Sequence, residues 1–207
     1  MKKHLYFLLS FLVFLTFFVS NAGAALISIE ASGVVTGTNG QGDKRDYSIT
    51  ALGTETKGQD DLKPGTPTGF GLRGKFFFFG AAVDSHSIVD KAKDDNSETK
   101  SDITSASILF YVPFVPIVDI SFGVGGGTRE YKEIDNGKNV KVSLLTYQAA
   151  VVYPISLAKV FQLRVGVGYQ GFTGKKTEVT NSSDGISLKT EFKPDYSVIN
   201  LILGVGF

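Results

Sequence analysis

The feature that most restricts this chain is a period-two alternation that returns eight times. Each run is followed by a turn or a polar stretch, and no amphipathic helix of useful length lies between them. Ile27, Ile29, Ala31, Gly33 and Val35 alternate with Ser28, Glu30, Ser32 and Thr36 in the first run. Tyr47, Ile49 and Ala51 form a short second, and Phe70, Leu72, Phe76 and Phe78 oppose Gly71, Arg73, Lys75 and Phe77 in the third. Ala106, Ile108 and Phe110 mark the fourth, and Val118, Ile120, Phe122 and Val124 the fifth. The sixth carries Leu145, Tyr147, Ala149, Val151 and Tyr153; the seventh carries Phe161, Leu163, Val165, Val167 and Tyr169. Ile199, Leu201, Leu203, Val205 and Phe207 complete the eighth. Side chains alternate across a strand, so every run has one apolar face and one small or polar face.

A soluble sandwich alternates too, with its apolar face inward. Three observations choose the opposite sense. The non-apolar faces consist mainly of Gly, Ser, Ala, Thr and Gln, which fill a narrow barrel lumen but make a poor hydrophobic core. The connections alternate in length: Pro113–Pro116 and Pro154–Lys159 are short, whereas Asp84–Ser101, Arg129–Lys141 and Gly174–Pro194 are long and polar. Aromatics gather near run ends, with Phe110, Tyr111, Tyr153, Phe161 and Phe207 at one rim and Tyr47, Tyr169, Phe172 and Tyr196 at the other. The expected fold is an all-β, eight-stranded, antiparallel up-and-down transmembrane barrel with both termini at the periplasmic rim. Thr54–Thr68 fits poorly, being long for a periplasmic connection.

The first residues point to export. A basic start at Lys2-Lys3 precedes the apolar run Leu5–Val19, and Ala22-Gly23-Ala24 offers the small residues of a cleavage site. That run is short of the roughly 20 residues a spanning helix needs. Residues 1–24 are therefore read as a signal peptide and 25–207 as the barrel. No Cys is present for lipoprotein anchoring. Without the first 24 residues, 19 basic residues stand against 20 acidic ones, which gives no support for nucleic-acid binding.

The last run, Tyr196-Ser197-Val198-Ile199-Asn200-Leu201-Ile202-Leu203-Gly204-Val205-Gly206-Phe207, is the most specific element. With it, the chain resembles the small outer-membrane barrels, the superfamily of the OmpA transmembrane domain and OmpX. The resemblance covers residues 25–207 and implies a bacterial outer-membrane location. It also implies that the barrel-assembly machinery reads Ile199, Leu201, Leu203, Val205 and Phe207.

Three motifs imitate chemistry. Gly166-Val167-Gly168-Tyr169-Gln170-Gly171 spells a dinucleotide fingerprint, but its glycines lie inside a strand rather than opening a helix. Gly123–Gly127 lacks the Lys-Ser/Thr of a phosphate loop. Asp84-Ser85-His86-Ser87 holds the residue types of a hydrolase triad, yet neighbouring side chains in an extended strand point apart. An enzyme is not expected, a lipid-modifying one being the third choice, and no cofactor or metal is called for.

The small face predicts an interior. Glu30, Arg73, Lys75, Asp119 and Arg164 should point inward near the periplasm and pair, closing the lumen to free diffusion. Val34, Phe77, Phe79, Leu144 and Val198 should point inward near the extracellular rim, where they either pack the plug or form a small apolar pocket. The expected role is structural or surface-interactive, in a monomer surrounded by outer-membrane lipid. The alternative is binding or transport of a small hydrophobic ligand.

Overall fold

The computed structural model describes residues 26–207 except 43, 94–96, 114–116, 136, 159 and 184; side chains of 133–135 are likewise outside it. The expected signal peptide, residues 1–24, lies outside the described residues. Twelve strands follow in chain order: β1 (Ile27–Asn39), β2 (Lys44–Ala51), β3 (Thr54–Lys63), β4 (Thr68–Phe76), β5 (Phe79–Ala92), β6 (Glu98–Tyr111), β7 (Asp119–Asp135), β8 (Lys138–Ala158), β9 (Phe161–Gly174), β10 (Thr177–Ser183), β11 (Ile186–Phe192) and β12 (Tyr196–Gly206).

Eight of these form a closed antiparallel ring in the order β1–β4–β5–β6–β7–β8–β9–β12, with β12 returning to β1. The seam runs from Ser28↔Gly206 to Asn39↔Tyr196, with a bulge between Val34 and Thr36. Leu26 N–H donates to the Phe207 carbonyl at 3.0 Å, so both ends of the described chain meet at one rim. The tight turns lie at that rim, which marks it as periplasmic.

Closure leaves the outer face to lipid. Ile29, Leu72, Val83, Ile108, Val124, Val151, Val167 and Leu201, one from each wall strand, are all exposed there. Phe76, Phe79, Phe110, Phe122, Tyr153 and Phe207 are exposed toward the periplasmic side, and Tyr147 and Tyr169 higher on the wall. Above the belt the outward positions turn polar: Lys132 reaches both Asp102 and Glu130 at 3.2 Å. A spanning strand needs about 9–11 residues, whereas β7 has 17 and β8 has 21, so these strands continue beyond the bilayer.

The other four strands form an extracellular arm. They pair in the order β10–β11–β2–β3, and Leu62 and Lys63 of β3 join the arm to Ala92 and Lys91 of β5. The tip of β2–β3 is a two-residue turn with both Leu52 (φ 51°) and Gly53 (φ 80°) in the left-handed region.

The eight wall strands include one that the sequence pattern hides and omit one that it suggests. The run at Tyr47–Ala51 belongs to the arm rather than to the wall. Thr54–Thr68 is consequently not a periplasmic connection; most of it is β3 of the extracellular arm. Asp84–Ser101 is not simply a long loop, since it contains most of β5 and the start of β6. The missing turn sits at Phe77–Phe78, where Phe76 pairs with Phe79 and Phe77 takes a left-handed φ of 55°. A non-glycine residue rarely adopts that conformation, so four consecutive Phe read as one strand. The upper aromatic rim is also smaller than expected: Phe172 and Tyr196 are buried inside the barrel, Tyr47 lies on the arm, and Tyr111 of the lower set faces inward.

A cation placed on the lipid face should report its depth. Val124→Arg, at mid-belt, is expected to cost about 2–4 kcal/mol in urea titrations of the barrel folded into vesicles. Thr104→Arg, at the polar edge, should cost about 0–1 kcal/mol.

Candidate functional site

Inward positions of the eight wall strands converge on a lumen too narrow to stay empty. Nearest the periplasm, Arg164 of β9 sits between two carboxylates. Its Nε donates to Glu30 Oε1 of β1 at 2.7 Å, and its Nη2 donates to Asp119 Oδ2 of β7. Lys75 of β4 donates to the same Asp119 oxygen at 2.7 Å and lies 4.9 Å from the centre of the Tyr111 ring. Ser28 Oγ adds a hydrogen bond to Glu30 at 3.1 Å. Arg73, also on β4, crosses to Gln148 Oε1 of β8 at 2.7 Å. All five charged residues singled out in the sequence are buried in this layer.

A second polar layer lies above it. Gln170 of β9 donates to Asp84 Oδ2 of β5 at 2.8 Å, and Ser107 and Thr146 hydroxyls are 2.9 Å apart. His86 Nδ1 is 3.1 Å from the Tyr196 hydroxyl. The space then becomes apolar: Ile88, Ile103, Leu144, Phe172, Tyr196 and Val198 form one buried cluster, with Val34 packed against it. Phe172 and Tyr196 stack with ring centres 4.0 Å apart and planes 9° from parallel.

Val34, Leu144 and Val198 thus meet, but Phe77 and Phe79 do not join them. Phe79 is exposed on the outer wall and Phe77 occupies the periplasmic turn, at the opposite end of the barrel. The difference follows from the hidden turn: a third run rising from the periplasm would carry Phe77 and Phe79 upward, whereas β4 runs downward. Ile88 and Ile103 occupy the inward positions that the two Phe residues were expected to fill.

A last charged layer closes the extracellular end. Arg129 of β7 donates to Ser101 Oγ at 3.0 Å and to the Pro194 carbonyl at 3.3 Å, and it lies 3.7 Å from Asp90 Oδ2. Asp90 also accepts from Asn39 Nδ2 at 2.6 Å and from the Gly65 amide at 2.9 Å. Arg129 and Asp90 lie in stretches that the sequence pattern reads as long polar connections. Continuing the odd-numbered inward parity of Asp119 and Ser121 would have found Arg129.

Among the described residues, four buried cations, Arg73, Lys75, Arg129 and Arg164, stand against four buried carboxylates, Glu30, Asp84, Asp90 and Asp119. Every cation reaches a carboxylate or an amide oxygen on another strand. Ile199, Leu201 and Leu203 of β12 and Phe207 just beyond it face lipid, whereas the inward face of β12 carries Asn200 and Ile202. Among the described residues, no group of three or more His, Cys, Asp or Glu side chains is placed to hold a metal ion.

Outside the membrane the arm has its own polarity. Tyr47, Ile49, Ala51, Ile186, Leu188 and Thr190 share one face through their cross-strand pairing. Glu178 and Glu191 lie among the charges of the other. A hydrogen bond from Lys189 to Glu178 holds that ammonium above its usual range, and Glu191 does the same for Lys176.

No family model matches the chain, and no curated protein does. Solved structures do match. The outer membrane protein OprG from Pseudomonas aeruginosa aligns over 89% of this chain and 98% of its own, at 14% identity and a TM-score of 0.54. This chain has the fold of a small outer-membrane β-barrel. Also similar are the outer membrane protein AlkL, with 14% identity, 88% and 90% of the two chains covered and a TM-score of 0.46, and Neisserial surface protein A, with 13%, 88%, 97% and 0.39.

Removing Arg164 should leave Glu30 buried without its cation. Arg164→Ala is expected to cost about 3–5 kcal/mol in urea unfolding from vesicles. Combining Arg164→Met with Glu30→Gln should cost less than the two single changes added together, by about 0.5–3 kcal/mol, because Asp119 keeps Lys75.

Proposed function

We propose that the protein is a monomeric outer-membrane barrel with a closed lumen, which holds the β2–β3 and β10–β11 arm above the membrane for a structural or surface-interaction role. The observation that carries this reading is the balanced set of buried ions, tied across the lumen rather than along one wall. An open selectivity path would need unpaired charges of one sign facing water. Here Arg164 joins β9 to β1 and β7, and Arg129 joins β7 to β5 and to the chain before β12. On this reading the outward positions of β12, ending at Phe207, serve recognition by the barrel-assembly machinery and then contact with lipid.

A second reading, binding or uptake of a small hydrophobic ligand, is favoured by the apolar layer around Leu144 and Val198. Its centre is filled by the Phe172–Tyr196 stack, which argues for packing. Catalysis has less support: His86 points inward onto Tyr196, whereas Ser85 and Ser87 take the opposite parity of β5.

In planar bilayers the purified barrel is expected to give no stable conductance; a steady unitary step would overturn the closed lumen. Binding of a fluorescent fatty acid that Val198→Ser abolishes would establish the second reading instead.

A further inference from the structure

Where the arm leaves the barrel, the apolar face of its sheet and Thr99 at the start of β6 line an open groove of about 380 Å³. Tyr47 and Leu188 form its apolar wall, Arg45 and Asp60 its polar one, and Thr99 and Thr190 add hydroxyls. The volume lies near the small end of the range for ligand pockets, about 300–1,000 Å³.

The polar wall is built rather than incidental. Arg45 is largely buried, with its side chain 13% exposed, and it lies 5.6 Å from the centre of the Phe192 ring. Its Nη1 donates to Thr99 Oγ1 at 3.1 Å and its Nη2 to Asp60 Oδ2 at 3.2 Å. These bonds fix the guanidinium, while Asp60 remains 39% exposed and free to accept further hydrogen bonds. The apolar wall is equally fixed. The Tyr47 ring rests on Gly58, where an added Cβ would come within 2.5 Å of the ring. That glycine admits the ring against the sheet.

The combination selects among ligand classes. A purely apolar molecule would cover Arg45 and Asp60 without replacing the water they bind, at a desolvation cost. An anion would meet the Asp60 carboxylate beside Arg45, the one cation among the described residues that line this groove. A neutral polyol with one apolar face meets neither penalty. One hydroxyl donates to Asp60, its neighbour accepts from the Arg45 guanidinium, and the C–H face of the ring lies on Tyr47.

We propose that this groove binds a short neutral saccharide, of one or two rings, at the extracellular surface. The proposal rests on reading the arm as the interacting part of the protein and on nothing in the lumen. A leaky barrel in planar bilayers would therefore leave it standing.

The test uses the full chain in lipid nanodiscs free of sugar-headed detergent, with saturation-transfer NMR as the readout. One arm presents chitobiose, maltose and methyl β-galactoside. The other presents neutral mono- and disaccharide fragments, freed of acidic sugar and phosphate, from lipopolysaccharide of the expressing bacterium. Transfer to a compound of the first set assigns a free or foreign saccharide; transfer to the second alone assigns the membrane's own glycolipid. Either result supports the site if Asp60→Asn weakens binding about tenfold, the loss expected for one hydrogen bond to a charged group, and Tyr47→Ala weakens it by a similar factor through the lost ring contact. Asp60→Asn preserves shape and partners, so it keeps the test valid should Tyr47→Ala disturb the arm. Absence of transfer from every saccharide in the unaltered protein overturns the proposal. So does binding that neither substitution changes, or displacement of the saccharide by a fatty acid.

Discussion

The pairing of β12 with β1 is the constraint on which the rest of the structure depends. In hydrocarbon no water is available to an unpaired backbone amide or carbonyl, so a sheet crossing a bilayer must close on itself. Closure with eight wall strands then fixes what the inside can contain. The lumen is too narrow for an aqueous channel lined with long side chains, and period-two alternation delivers every second residue into it. Gly125, Gly127 and Gly166 leave room there, since a Cβ at any of them would fall within 2.5 Å of a neighbouring backbone oxygen. The space they leave is taken by the long polar side chains of other strands.

Those side chains tie opposite walls together. Lys75 of β4 and Arg164 of β9 share Asp119 of β7, while Arg73 reaches β8 and Asp84 meets Gln170 of β9. None of these partners is a hydrogen-bonded neighbour in the sheet. Buried ion pairs of this kind contribute little net stability, because desolvation offsets most of their attraction. Their effect is on uniqueness. A slip of one residue in β1, β4, β5, β7 or β9 would turn a charge outward and leave a partner unpaired, so the lattice disfavours alternative registers strongly. The same bonds make the interior resistant to opening.

How much of this was legible in the sequence depended on which face carried the signal. Strands β7, β8, β9 and β12 were plain, because their outward residues are apolar through the belt and their inward residues small or polar. The five charges of the lower lumen followed from parity alone. Strand β5 was not visible, for its upper half sets Asp84, His86 and Asp90 inward against Ser85 and Ser87 outward. Once a strand rises above lipid, neither face needs to be apolar, and the alternation becomes polar against polar. The Phe77 turn removed the remaining cue by placing an aromatic where glycine or asparagine usually marks a hairpin. The two differences compensate, because the pattern offers the arm strand β2 in place of β5 and so gives the right number of wall strands. The direction of β4 is reversed relative to that pattern, which moves Phe77 and Phe79 to the other end of the barrel.

The arm shows what a rigid interior permits. Binding residues on surface segments work best when a fixed scaffold positions them. Here the arm is attached at several independent points. Leu62 and Lys63 pair with β5, and the Lys193 amide donates to Gln41 Oε1 at 2.8 Å. Asp90 at the lumen mouth accepts from Asn39 and Gly65 on either side of the β2–β3 excursion, and Tyr131, Val142, Val179 and Phe192 bury an apolar seam between the arm and β7–β8. Arg129 connects this mouth to the chain leaving β11 through the Pro194 carbonyl. The ordering entropy of the arm is therefore met largely before any ligand arrives, which lowers the cost of binding to it. A barrel that needed a mobile gate would have loosened these contacts; this one anchors its extracellular sheet through the residues that close its lumen.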